Sequence, residues 1–130
     1  MEALVEAPDA RLVISQISLI EIESVFATKV RAGVIHKTAL QQLRGRFYAD
    51  LARGLFEVVQ LARRHFQGAE ALVRAYGVNH ALRTLDALQL SVALDLHRRG
   101  AVSQLVTSDR AFCEVAALEG VPVVDPLSVQ

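Results

Sequence analysis

Apolar residues follow two patterns along this chain, one in short continuous runs and the other spaced three or four residues apart. The continuous runs, rich in β-branched residues, predict strands at residues 12 to 14, 55 to 61, 104 to 107 and 121 to 124. The spaced pattern predicts helices at residues 18 to 32, 37 to 53, 63 to 76, 85 to 99 and 110 to 119. This alternation favours an α/β fold in which helices flank a parallel sheet in three layers.

Local signals mark where the predicted helices begin and end. Ser18 and Glu21 have the spacing of a capping box, and Thr84 and Asp109 are good N-cap residues for two later helices. Glycine follows four of the helices, at Gly33, Gly54, Gly77 and Gly120. The first two helices each carry an apolar stripe expected to face the core, and the helix at 85 to 99 is expected to be buried on most sides.

The composition is that of one globular domain. The chain has 130 residues, of which 52% are apolar and 22% are charged, a size and balance typical of a single hydrophobic core. Its apolar stretches fall far short of the roughly 18 residues that cross a bilayer, so no membrane association is expected. One cysteine rules out an intrachain disulfide, and the four histidines lack zinc-site spacing. These features favour a cytoplasmic protein.

The net charge of zero conceals a basic segment. Residues 29 to 64 contain eight lysines and arginines against two acidic residues, whereas both ends of the chain are acidic. A basic flank beside carboxylates suits a polyanionic substrate such as RNA. The alternative is that these charges are the solvated faces of amphipathic helices.

Three acidic residues are expected at three strand-to-helix junctions: Glu21, Asp86 and Asp109. Ligands of open α/β sheets bind beyond the carboxyl ends of the strands, so the three acids are expected to converge on one edge of the sheet. Oxygen ligands without histidine or cysteine point to Mg²⁺ or Mn²⁺. Each acid also has a purely structural interpretation, as a capping-box glutamate, a first-turn acid that favours the helix dipole, and an N-cap.

Other polar residues nearby have weaker functional interpretations. Thr107 and Ser108 are hydroxyl residues that are suited to hold a phosphate oxygen or a metal-coordinated water, or simply to complete a turn. Glu23 lies on the far side of its helix from Glu21 and is interpreted as a solvated residue. Asp95, near the other end of the Asp86 helix, has no functional interpretation.

The segments around these acids resemble the PIN-domain family, which includes VapC-type toxins. Residues 15 to 22 resemble the family's strand-to-helix stretch with its second acid, here Glu21, and Leu85-Asp86-Ala87 resembles its Leu-Asp-Ala helix. Residues 105 to 112 resemble its Thr-x-Asp-x-x-Phe strand end, and residues 120 to 126 its closing strand. Each motif alone is weak, but their order over residues 12 to 126 is specific.

The resemblance implies an endoribonuclease in which clustered carboxylates hold Mg²⁺ while water attacks the phosphorus, leaving a 5′ phosphate. Asp86 and Asp109 would be metal ligands, and Glu21 would bind the metal or orient the water. Where many members carry a further acid, this chain offers only Cys113 or Glu114. The family also implies a homodimer and, for toxins, an antitoxin that blocks the site.

The family's opening strand, which ends in a catalytic Asp and is followed by a helix, has no match in this chain. Residues 1 to 7 are interpreted as the tail of that helix, ended by Pro8. Loss of a central strand would leave backbone groups of two neighbouring strands unpaired. We therefore expect one domain over residues 1 to 130 that is N-terminally incomplete, with Met1 an internal methionine.

Two other functions compete with the nuclease interpretation. An incomplete carboxylate set would make the chain a catalytically inactive PIN-like module that binds RNA or a protein. A phosphatase or nucleotide-binding domain is less favoured, because no glycine-rich phosphate loop follows any predicted strand.

Overall fold

The computed structural model describes residues 4 to 6, 12 to 107 and 109 to 125. Within these ranges the chain forms five strands and five helices. The strands are β1 Leu4–Glu6, β2 Leu12–Ser15, β3 Phe56–Val59, β4 Gln104–Val106 and β5 Val123–Val124. The helices are α1 Gln16–Arg31, α2 Lys37–Ala52, α3 Arg63–His80, α4 Thr84–Arg98 and α5 Arg110–Leu118.

The five strands form one sheet in the order β3-β2-β1-β4-β5. β2 pairs with β3 and β4 pairs with β5 in parallel, whereas β1 runs antiparallel to both of its neighbours. Since β2 and β4 both oppose β1, they share one direction, and four of the five strands are therefore parallel. The predicted α/β class is confirmed. Helices connect β2 to β3 and β4 to β5, as in the crossover connections between parallel strands.

The central strand corrects the interpretation of the first residues. Leu4–Glu6 is strand β1 and not the tail of a helix, because its backbone pairs with Val13 on one side and with Leu105 on the other. The inner edges of β2 and β4 are therefore hydrogen-bonded. Residues 1 to 3 and 7 lie outside the described residues, and the expectation that Met1 is internal stays a prediction.

The core lies around α4. This helix is enclosed on most sides, as predicted. Seven of its residues are buried: Ala87, Gln89, Leu90, Ser91, Val92, Ala93 and Leu94. Four of them, Ala87, Leu90, Ala93 and Leu94, belong to one core cluster with side chains of β2, β4, α3 and α5, including Val13, Leu72, Leu105 and Phe112. In the part of the chain that the structure describes, no helix has the length and apolar character needed to span a membrane.

The apolar stripes of α1 and α2 are not core, contrary to the prediction. α2 has no buried residue, and Ser18 is the one buried residue of α1. Val25 and Leu43, both in the predicted stripes, are exposed. Arg44 of α2 instead forms a salt bridge of 2.9 Å with Glu23 of α1, which is therefore not simply solvated. Helical periodicity shows which side is apolar but not whether another element covers it.

The helix ends agree with the glycine signals except at α3. Gly33, Gly54 and Gly120 have positive φ and follow their helices as predicted. The α3 helix continues past Gly77 and ends at His80, and its C-cap Ala81 takes the left-handed conformation with φ 54°. The prediction of an end at Gly77 is wrong, because a glycine within a helix is tolerated when the surrounding turns are stabilised by packing.

Candidate active site

Glu21, Asp86 and Asp109 line one cleft of about 760 Å³. The structure thus brings together the three acids that the sequence singled out. The cleft also contains two arginines and four smaller or apolar residues: Arg83, Arg110, Ala81, Thr84, Leu85 and Ala111. Acidic and basic side chains that share one open cleft are suited to bind a polyanion together with a cation.

Asp109 is held in place by the turn between β4 and α5. Its Oδ1 accepts a hydrogen bond of 2.9 Å from the backbone N–H of Phe112, so it is the N-cap of α5 as predicted. Its own N–H donates to Oγ1 of Thr107 over 3.2 Å. The Thr107 residue is only 1% exposed, which favours its role in completing the turn over contact with a ligand. Ser108 lies outside the described residues.

Asp86 is the third residue of α4, and its Oδ2 accepts a hydrogen bond of 3.4 Å from the N–H of Arg83. Because α4 follows α3 with no strand between them, Asp86 enters the cleft from a helix-to-helix junction, and not from a strand end as expected. Burial raises the pKa of Asp86, and the negative charge of Asp109 raises it further. The hydrogen bond from Arg83 opposes this shift without cancelling it.

Glu21 is not part of a capping box. Helix α1 begins at Gln16, two residues before Ser18, and its N-cap Ser15 makes no side-chain capping bond. The side chains of Ser18 and Glu21 instead accept hydrogen bonds from Nε2 of Gln89 in α4, at 3.0 Å and 2.6 Å. The capping-box prediction is wrong because a partner distant in sequence takes both groups.

Sequence analysis missed Gln89, which connects Glu21 to the rest of the site. It is 6% exposed, and its Oε1 accepts a hydrogen bond of 2.7 Å from the Ser15 hydroxyl. The available signal was a polar residue among the apolar residues that follow Asp86, three positions after it and therefore on the same helix face.

Cys113 and Glu114, the two residues considered for a further acidic role, do not line this cleft. Cys113 is partly buried, and its thiol lies 3.5 Å from the carbonyl oxygen of Thr107. Burial raises the pKa of Cys113, and the charges of Asp125 and Asp109 add to the shift. Glu114 pairs with His80 at 3.5 Å. Asp125, which follows β5, is an acid near this edge that the sequence did not single out.

The cleft offers the ligand chemistry of a hard divalent cation. Within the described ranges, no three histidine, cysteine or acidic side chains lie close enough to hold a metal ion together. Mg²⁺, however, keeps several waters and is held by one or two carboxylates, and the proximity of Asp86 and Asp109 raises the gain from binding a cation. The residues present therefore fit Mg²⁺ or Mn²⁺.

A second cavity of about 520 Å³ lies between α3 and α4, but its charged groups already pair with one another. Nδ1 of His65 accepts from the N–H of Ala62, so the ring is neutral and its Nε2 donates to Asp95 over 2.9 Å. Asp95 also pairs with Arg64 and Arg99, each at 3.1 Å. These bonds connect α3 to α4, so the role of Asp95 is structural.

A family model described as a PIN domain matches residues 1–118 of the chain. No curated protein and no solved structure gives a significant match.

Proposed function

Because this chain belongs to the PIN domain family, we propose that it is an endoribonuclease that depends on a divalent cation and cuts RNA at the cleft described above. PIN domains are generally nucleases and typically use divalent metals, and PIN nucleases bind RNA. The observation that carries the proposal is the convergence of Glu21, Asp86 and Asp109 on one cleft.

The three acids have separate roles in this proposal. Asp86 and Asp109 hold Mg²⁺ or Mn²⁺, since each has one carboxylate oxygen engaged in a helix cap and a second oxygen to offer. When bound, the cation supplies Lewis-acid chemistry: it favours deprotonation of water and neutralises charge that develops on the phosphate. Glu21 orients the attacking water or takes its proton. Water adds to phosphorus, the bond to the 3′ oxygen breaks, and the products carry a 3′ hydroxyl and a 5′ phosphate.

Arg83 and Arg110 are the residues we propose to contact the RNA backbone at this cleft. Both line it, and both are exposed. A guanidinium binds phosphate oxygens through paired hydrogen bonds and offsets the charge of two nucleotides beside the cut. Basic side chains of α2 would guide more distant RNA, although Arg44 and Arg53 are already paired with Glu23 and Asp50.

The finer assignment is a toxin of VapC type, acting in the cytoplasm as a homodimer and controlled by an antitoxin protein. The order of the family motifs along the chain supports this assignment. Several apolar side chains of α1, α2 and the loop between them are exposed, which supports a protein partner: Ile20, Val25, Val34, Leu43 and Tyr48. Sedimentation that finds a monomer at every concentration would contradict the homodimer.

The competing function is a catalytically inactive module that binds RNA or protein. The observation that favours it is that the three acids do not form a close ligand cluster within the described residues. It predicts RNA binding without cleavage at any concentration of Mg²⁺ or Mn²⁺.

The deciding experiment measures cleavage of a mixed RNA substrate in Mg²⁺, in Mn²⁺ and in excess chelator. We expect cleavage with either cation, none with chelator, and 5′ phosphates on the products. Asp86→Asn should abolish cleavage while the protein stays folded by circular dichroism. The matched control is Asp50→Asn, the same change in a helix away from the cleft. Cleavage that survives in Asp86→Asn, or is lost equally in both variants, would overturn the proposed site.

A further inference from the structure

Gln89 is a buried amide on the most enclosed helix of the protein. Burying an amide without partners is unfavourable relative to leaving it in water, so an apolar residue would be the default here. Each polar end of Gln89 has partners: Oε1 accepts from Ser15, and Nε2 donates to Ser18 and Glu21. These three hydrogen bonds hold the Gln89 side chain in one conformation.

The orientation of the amide follows from its partners. An ionised carboxylate can only accept hydrogen bonds, so the group facing Glu21 must be the NH₂ of Gln89. The reversed amide would place its carbonyl oxygen against the Glu21 carboxylate, whereas the Ser15 and Ser18 hydroxyls can each donate or accept and would bond to either end of the amide. Ser15 at the end of β2 and Ser18 of α1 therefore hold the amide in place, and the Glu21 carboxylate determines which end of the amide faces it.

We propose that Gln89 is a positioning residue that fixes the Glu21 carboxylate beside Asp86, an inference that rests on the proposed function. Asp86 and Gln89 lie three residues apart on α4, so one rigid helix carries both an acid of the cleft and the donor that holds another. A carboxylate on the second turn of α1 would otherwise sample several rotamers. Because the hydrogen bond fixes the Glu21 carboxylate before RNA binds, the reaction does not carry the entropy cost of ordering that side chain.

The first test compares cleavage by Gln89→Met, which keeps the length of the side chain and removes the amide. We expect kcat to fall about 10- to 100-fold, as for other residues that orient a metal-site ligand, with KM for RNA unchanged. The matched control, Gln67→Met, makes the same change at an exposed position of α3 and should leave kcat unchanged.

A double-mutant cycle separates positioning from general damage to the fold. If Gln89 acts through Glu21, the variant Glu21→Ala with Gln89→Met should cleave no more slowly than Glu21→Ala alone. Losses that multiply would overturn the proposal, because Gln89 would then act independently of Glu21. If Gln89→Met unfolds, Ser15→Ala removes one of the bonds that hold the amide in place, and it should show the same cycle with Glu21→Ala.

A second measurement tests positioning without relying on cleavage. Side-chain coupling constants of Glu21, measured by NMR, should report one χ1 rotamer in the wild-type protein and averaging in Gln89→Met. Averaging in both proteins would overturn the inference even if RNA is cut. A wild-type protein that neither cuts RNA nor binds Mn²⁺, yet shows the single rotamer, would overturn the proposed function while leaving the Gln89 contact in place.

Discussion

The carboxylate of Asp86 lies near enough to that of Asp109 for the charge of Asp109 to raise the pKa of Asp86, in addition to the larger effect of burial. The two residues come from the starts of different helices, α4 and α5. Without a cation, the folded protein thus brings like charges together and stores unfavourable free energy at the cleft.

Asp86→Asn should therefore stabilise the metal-free protein at neutral pH, by a few tenths to about 1 kcal/mol because the site is partly solvated. Folding raises the pKa of Asp86, so protonated Asp86 stabilises the folded state at low pH. This stabilisation is lost as the pH rises from the ordinary pKa of 3.8 through the raised pKa of the folded state. Urea unfolding should show that Asp86→Asn has a larger free energy of unfolding than the wild type at pH 7, and that this difference shrinks at pH 3. Asp50→Asn should show no such gain, and an equal gain at both pH values would contradict the explanation.

Mg²⁺ or Mn²⁺ should stabilise the wild-type protein, because binding to the folded state alone shifts the unfolding equilibrium. At a concentration one hundred times Kd, the expected gain is about 2.7 kcal/mol. Thermal unfolding in chelator and in increasing Mn²⁺ measures it. Asp86→Asn should lose most of the increase in Tm, and Asp50→Asn should keep it. The same increase in both variants would place the cation elsewhere.

Ala81→Gly should stabilise the protein by about 1 kcal/mol, because Ala81 has φ 54° and a residue with a Cβ is strained in that region. The matched control is Ala71→Gly, at an exposed position within α3, which should destabilise by a similar amount. Chemical unfolding of both variants tests the prediction. Destabilisation by Ala81→Gly would mean that α3 does not end in the left-handed conformation.

Asp95→Ala should destabilise the protein by about 1 to 3 kcal/mol at neutral pH, because the buried Nε2 of His65 loses its acceptor. Burial alone would raise the pKa of Asp95, but hydrogen bonds from His65 and Arg64 and the charge of Arg99 outweigh it and lower the pKa. A lowered folded pKa contributes stability above the ordinary value of 3.8 and loses it as pH falls through the folded pKa. The difference between variant and wild type should therefore shrink on strong acidification.

Asp95→Ala should leave RNA cleavage unchanged at temperatures where the variant is folded, since Asp95 does not line the acidic cleft. Loss of cleavage in the folded variant would show that the second cavity takes part in the reaction.

Arg110→Gln should weaken RNA binding and lower the slope of log affinity against log salt by about 1, as expected when one phosphate contact is removed. Arg98→Gln is the control, because Arg98 lies at the opposite end of α4 from Asp86 and pairs with Glu119 at 3.3 Å. Fluorescence anisotropy at several salt concentrations measures both. An unchanged slope in Arg110→Gln would exclude this arginine from the RNA contact.

Features with a local physical cause were predictable from the sequence. Asp109 caps α5 because Asp after a strand accepts from the free amides of a helix start, and α4 is enclosed because its apolar side chains occur on most sides of the helix. Asp86 was recognisable in the same way, as an acid in the first turn of α4, whereas Glu21 was singled out by a capping box that the structure does not contain.

Features that depend on distant partners were not predictable. Leu4–Glu6 is a strand only because it pairs with β2 and β4, and a segment of this length carries no helical or strand signal of its own. The apolar stripe of α2 is unmistakable in the sequence, yet nothing local shows that the helix has no buried residue.

The sequence by itself determined the α/β class, most helix ends and the candidate acids, because these arise from periodicity and capping within a few residues. Only the tertiary structure decided the order of the strands, the cleft that Glu21, Asp86 and Asp109 share, and the contact of Glu21 with Gln89, which is 68 residues away. A capping box and a long-range hydrogen bond compete for the same carboxylate. The second prevails here because burial of the Gln89 amide requires a partner, and only the folded chain brings one to it.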